Sequence, residues 1–180
     1  MRVITGKARG VQLKTPEGML TRPTADRVKE ALFSIINFDL PGAAVLDLFG
    51  GTGQLGIEAL SRGANSAVFV DQREDACKII RENLRRTKLE TQGRVVRSDY
   101  LDYLRRSREK FDIIFADPPY AIDGLDTIPD KVFAKDILHP GAYLILEHPE
   151  EYNFENHPFF VKERKYGNVH FSFFEKPTDE

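Results

Sequence analysis

Five short apolar runs, at residues 43–49, 66–71, 94–98, 111–116 and 142–148, alternate with stretches of helical pattern, and that alternation leaves few folds open. Within the runs, Val45-Leu46, Val68-Phe69-Val70 and Ile113-Ile114-Phe115 are apolar at consecutive positions, as in parallel strands covered on both faces. Between residues 73 and 88, Ala76, Ile80 and Leu84 recur every four residues with Cys77 beside them, which marks one buried helical face. Strands alternating with helices of this length predict a doubly wound α/β sheet, open, mostly parallel and Rossmann-like, with helices on both faces.

The two ends of the chain depart from that rhythm. Residues 159–166 and 169–175 flank Gly167-Asn168, a two-residue hairpin signal, so the sheet of seven strands is expected to finish antiparallel. Val169, Phe171 and Phe173 alternate with His170 and Ser172, which predicts one buried face. Near the start, Val28, Ala31, Leu32, Ile35 and Ile36 form a stripe that predicts a leading helix over 24–38, with Thr24 or Asp26 as N-cap. Val3-Ile4 and Val11-Leu13 can pair as a small β extension within residues 1–20. With a core over 43–180 and no linker, repeat or low-complexity tract, the 180 residues read as a single domain.

Composition excludes several functional classes. No run approaches the eighteen or so apolar residues of a membrane span. Met1-Arg2-Val3-Ile4 lacks a secretory signal's apolar stretch, so a cytoplasmic location is expected. Cys77 is the sole cysteine, which rules out an internal disulfide and a cysteine-cluster metal site. His139, His148, His157 and His170 lack metal-ligand spacing and read as surface or packing residues, so no metal is expected. The net charge of −2 conceals an asymmetry: residues 1–29 hold seven basic and two acidic side chains, a local +5, while 147–180 hold eight acidic and four basic ones. A basic end on an acidic chain suits a polyanion, or is a solvated surface with an accidental imbalance.

The strongest local motif is Asp47-Leu48-Phe49-Gly50-Gly51-Thr52-Gly53-Gln54-Leu55-Gly56, which follows a strand and opens a helix. Gly51 and Gly53 permit a sharp turn with ligand atoms against bare backbone, and Gly56 permits close helix–strand packing. A purely structural turn would show the same spacing. Asp71 ends the second strand, where a carboxylate can accept ribose hydroxyls, and Asp99 follows the third, where it can meet an adenine amine or cap a helix. Asp47 discriminates among ligands: a buried carboxylate is costly without a partner and would repel a pyrophosphate, whereas a ligand with an α-amino group and a sulfonium makes it useful.

After the fourth strand comes Asp117-Pro118-Pro119-Tyr120. Two prolines fix the direction of the Pro118 carbonyl and bring no competing N–H, Asp117 adds a second acceptor, and Tyr120 offers a stacking face. Two acceptors can hold an exocyclic base amine so that its lone pair points at an electrophilic methyl. The alternative is a turn that merely ends a buried strand, with Tyr120 in the core.

Together these residues resemble the class I S-adenosylmethionine-dependent methyltransferases. More narrowly, Arg9-Gly10, Leu13, the segment Thr21-Arg22-Pro23-Thr24 and the run from Asp26 to Phe33 are similar to the RsmD family, which methylates a guanine N(2) amine in small-subunit (16S) ribosomal RNA. The resemblance implies cofactor contacts at Asp47, Phe49, Gly51, Gly53, Asp71 and Asp99, with Gln72 and Tyr100 as adjoining candidates. It implies base contacts at Asp117, Pro118 and Tyr120, and an assembling small ribosomal subunit as substrate. Arg9, Arg22, Thr24 and Arg27 are the candidate RNA contacts. Gly50, where the family more often has Ala, and Thr52, where it often has Ser, are mild departures. The core motifs leave open an adenine amine in DNA, a protein amide, an NAD-dependent oxidoreductase, or a ribosome-binding factor that has lost activity.

Overall fold

Each of the five apolar runs forms a strand in the computed structural model, which describes residues 1–16 and 23–178, without the side chains of 23–25. The strands are β1 (Ala44–Asp47), β2 (Ser66–Asp71), β3 (Gly93–Arg97), β4 (Phe111–Ala116) and β5 (Leu138–His148), followed by the hairpin β6 (Phe160–Tyr166) and β7 (Val169–Glu175). They form one sheet in the order β3-β2-β1-β4-β5-β7-β6. Strands β1 to β5 run parallel, and β7 inserts antiparallel between β5 and β6. The order reverses between β1 and β4, so a crevice opens there at the C-terminal ends of the strands.

Strand side chains alternate between two cores. On one face Val45, Phe69, Ile113, Phe115 and Ile145 pack under helices α1 (Pro23–Ile36), α2 (Gln54–Ser61) and α3 (Glu74–Arg86). On the other, Leu46, Val68, Val70, Ile114 and Leu144 pack under α4 (Tyr100–Arg106) and α5 (Ile128–Phe133). Both faces are covered, which is why the strands are apolar throughout. No helix among the described residues is long and apolar enough to cross a membrane.

Two local expectations need correction, at the leading helix and β7, and the N-terminal pairing is present but small. The leading helix begins at Pro23, so Thr24 and Asp26 lie within its first turn and neither is the N-cap. Proline suits that first position because its missing N–H would have had no helical partner. The N-terminal β extension amounts to one antiparallel bridge, Arg2 to Gln12, around a turn at 6–10. Strand β7 buries both faces: its interior position puts His170 and Ser172 inside as well as Phe171 and Phe173. Each of the pair has a hydrogen-bond partner, His148 Nε2 with Ser172 Oγ at 2.7 Å and His170 Nδ1 with Glu163 Oε1 at 2.8 Å, while His170 Nε2 meets none among the described residues.

Candidate active site

Between β1 and α2 the chain turns through Gly51 and Gly53 at φ +59° and +83°, a region that other residues enter only with strain. A Cβ on Gly51 would approach nothing closer than 4.0 Å, so that backbone faces open space. Asp71 fixes the turn from the end of β2: its Oδ2 accepts the Gly51 N–H at 3.0 Å and its Oδ1 the Arg73 N–H at 2.9 Å. The aspartate read as a ribose acceptor therefore also braces the glycine loop, through one lone pair on each oxygen.

Asp47 lies beneath the turn and is 1% exposed. Its Oδ2 accepts the Gly56 N–H at 3.2 Å, and its Oδ1 meets no donor among the described residues. Burial, then the charges of Asp117 and Asp71, push its carboxyl well above the usual carboxylate range, against the opposing Gly56 hydrogen bond. An orphaned, desolvated acceptor is a place for a cation.

In front of the turn lies a cleft of about 620 Å³, within the range of small-molecule and cofactor sites. Phe49, Gly51, Asp71, Gln72, Asp99, Tyr100, Asp117 and Pro118 line it, so eight of the candidate residues converge on one space. Asp99 caps α4, accepting from the N–H groups of Leu101 (2.8 Å) and Asp102 (3.3 Å), and it also lines the cleft. Phe49 and Tyr100 stand with ring centroids 4.9 Å apart and form an aromatic wall. Leu48, Ser98, Pro119, Ala121 and Ile122 add parts of the lining that were not among the candidate residues. Among the described residues of the lining, Arg73 is the single cation, and it pairs with Asp75. Gly53 and Asp47 sit behind the lining, and Tyr120, 46% exposed, sits outside it.

The Asp117-Pro118-Pro119-Tyr120 turn leaves β4 at the crevice, with Asp117 half-buried and Pro118 buried. Tyr120 is a solvent-facing ring, not a core aromatic. Next to this turn is a residue that the motifs missed. Ala116 pairs with Leu146 in the β4–β5 register, so Asp117 and Glu147 follow at adjacent strand ends, close enough for their carboxyls to act on each other. Burial raises both, and Asp117 raises Glu147 further. The available signal was its position: an acid at the end of a fifth parallel strand, like the acids ending β1 and β2.

The basic N-terminal segment is partly consumed by the fold. Lys29 is buried, donating to the Arg2 carbonyl at 2.6 Å and lying 3.7 Å from Glu58, while Arg2 pairs with Asp26. Glu58, wholly buried, accepts the N–H groups of Ile4 (2.9 Å) and Thr5 (3.1 Å) and the Arg62 Nε–H (2.9 Å), tying the segment to α2. Asn83 then joins Lys14 to the glycine turn, bonding the Lys14 N–H at 2.6 Å and the Thr52 carbonyl at 2.8 Å. Arg9 and Arg27 are exposed. Arg22 lies outside the described residues, and of Thr24 the backbone alone is described, in α1.

A parallel sheet in this order, closed by an antiparallel β7 and carrying acids at its ligand edge, is the class I methyltransferase fold. The chain belongs to the family described as Conserved hypothetical protein 95, whose model matches residues 1–175, the RsmD family that its motifs resemble. YlbH of Bacillus subtilis (strain 168), provisionally named an rRNA methyltransferase, is 38% identical over 154 residues, 84% of each chain. Ribosomal RNA small subunit methyltransferase D of Haemophilus influenzae is 32% identical over 150 residues, 82% of this chain and 78% of that one. A solved structure from Escherichia coli, provisionally described as the methyltransferase yhhF, superposes with a TM-score of 0.86 at 29% identity over 99% of both chains.

Proposed function

We propose that this chain, acting as one domain over residues 1–180, transfers a methyl group from S-adenosylmethionine to the N(2) amine of a guanine in small-subunit ribosomal RNA. The observation that carries the reading is the meeting of two features at one cleft: an unpartnered buried oxygen on Asp47 behind its lining, and the two-proline turn that forms part of that lining. The bound cofactor supplies a methyl group made electrophilic by its sulfonium. Asp47 would accept its ammonium group, a charge-assisted contact of roughly 1.5–3 kcal/mol. Asp71 and Gln72 would hold its ribose, and Asp99 and Tyr100 its adenine, against Phe49.

A purine amine is a poor nucleophile because its lone pair is delocalised into the ring. The Pro118 carbonyl and the Asp117 carboxylate each take one amine hydrogen, aim the lone pair along the line of attack and stabilise the positive charge that develops on nitrogen. Tyr120, exposed beside the turn, offers a face to the extruded base. Arg9 and Arg27, together with Arg22 and Thr24, supply contacts to the RNA. The names of the relatives, an rRNA methyltransferase and a ribosomal RNA small subunit methyltransferase, support ribosomal RNA as the target; an assembling small subunit in the cytoplasm is part of the proposal.

Methyl transfer from labelled S-adenosylmethionine should favour immature small subunits over free RNA, DNA and protein, and nuclease digestion should recover N(2)-methylguanine. In a thermal shift S-adenosylmethionine should raise the melting temperature and NAD should not, by an amount set by ligand concentration over its dissociation constant. Label on adenine or on protein, or protection by NAD alone, would refute the assignment.

A further inference from the structure

The geometry points to Glu147 as a positioning residue for the methyl transfer: it stays uncharged, donates a hydrogen bond to Asp117 and so presents the other Asp117 oxygen, ionised, to the base amine. This rests on the proposed function. Three structural facts lead to it. The β4–β5 register sets Asp117 and Glu147 side by side at the edge of the cleft. Burial raises both carboxyls, and at this separation each acts directly on the other. Among the described residues, the other titratable groups that act on the pair are Asp47 at the end of β1 and Tyr120 on the turn, neither of them a cation. On β7 the residue opposite Glu147 is Phe171, and the neighbouring His148 is engaged with Ser172 on the opposite face.

A proton must therefore be shared, as like charges this close cannot both ionise. The two groups are not equivalent. Asp117 lines the cleft, whereas Glu147 stands behind it, on the strand. Holding the proton on Glu147 leaves the acceptor charge where the amine arrives, and the hydrogen bond fixes the Asp117 carboxylate against rotation. The step then balances. The amine nitrogen uses its lone pair to bond the methyl carbon, the methyl–sulfur bond breaks toward sulfur to leave a neutral thioether, and the nitrogen's surplus proton passes to Asp117. Both carboxyls are then neutral, and Asp117 returns its proton to water as the methylated base leaves.

The roles separate by substitution. Glu147→Leu removes the donor and should lower kcat on the order of tenfold or more, the cost of a hydrogen bond to a charged group, while the dissociation constant for S-adenosylmethionine stays at the wild-type value. Glu147→Gln keeps a neutral donor of nearly the same shape and should restore kcat toward wild type. Wild-type turnover should fall at alkaline pH as the shared proton leaves, and the Gln variant should lack that limb. In the cofactor-free protein, carboxyl ¹³C NMR should find Glu147 protonated at neutral pH. Melting curves of each variant establish that it is folded.

Wild-type protein that methylates none of the RNA substrates would overturn the proposed function itself. An active wild type with Glu147→Leu equally active, Glu147→Gln as impaired as Glu147→Leu, or an ionised Glu147 at neutral pH would each overturn the positioning role and leave the function standing.

Discussion

The carboxyl of Asp47 gains little from the folded chain, since one oxygen takes the Gly56 N–H and the other meets no donor. Leaving a buried polar atom unsatisfied costs about 1–3 kcal/mol, more if it is charged. Burial raises this carboxyl above its unfolded value, so between the two values the folded state holds more protons than the unfolded state. Stability contributed by this group therefore falls as pH rises through that window. We predict that Asp47→Asn raises the melting temperature of the ligand-free protein at neutral pH by about 2–4 °C per kcal/mol recovered, and flattens the decline toward high pH. The same variant should lose most of the stabilisation by S-adenosylmethionine. Melting curves across pH, with and without ligand, test both halves; an Asn variant that melts lower than wild type without ligand would show the carboxylate to be structural. Asp71 was legible because it ends an apolar run, Asp99 because it directly follows one, and Asp47 because it opens the glycine motif. Glu147 was not, because it falls inside the run 142–148, where it read as strand interior, and its meaning depends on which strand lies beside it.

At the scale of the element, the glycine turn works because α2 lies very close to β2. A Cβ added at Gly56 would stand 2.7 Å from Phe69 Cζ and nearer still to Cε1, and Phe69 is fully buried. Replacing a helical Gly by Ala contributes about 1 kcal/mol through helix propensity, while overpacking a core costs about 1–3 kcal/mol. The rigid ring leaves little room to relax, so overpacking wins. Gly56→Ala should lower the urea midpoint with an unchanged slope, and should weaken cofactor affinity because Gly56 also donates to Asp47. A variant as stable as wild type would mean that the helix can retreat. Elements that periodicity can define, β1 to β5 and α3, were legible within a residue or a few. The start of α1 was not: Thr24 and Asp26 look like caps, but Pro23, suited to the first helical turn, carries the truer signal. The second buried face of β7 was hidden for another reason. Alternating polar residues announce exposure unless partners satisfy them, and those partners, His148 and Glu163, come from other strands.

For the whole molecule, the question is how a chain of net charge −2 holds a polyanion. The seven basic side chains of residues 1–29 suggest a uniform patch, but the fold divides them. Lys29 is buried against Glu58, with burial lowering its pKa, and Arg2 pairs with Asp26. Arg9 and Arg27 remain exposed, on a segment whose ties through Glu58 and Asn83 hold it beside the glycine turn and α2. Each phosphate contact made by such a cation steepens the fall of log affinity with log salt by about 0.7 for single-stranded RNA. Arg9→Ala combined with Arg27→Ala should therefore weaken binding to immature subunits and reduce that slope by about 1.4 if each arginine meets one phosphate. Lys29→Met separates this from a loss of structure. It leaves buried Glu58 with Arg62 as its remaining cation and the Arg2 carbonyl without its donor, so it should cost about 1.5–3 kcal/mol of stability, yet at temperatures where it remains folded its salt slope should equal that of wild type. If the Lys29 variant lost slope and the double arginine variant kept it, the polyanion would be held by the buried network's side of the segment, and the division of charge drawn from exposure would be wrong.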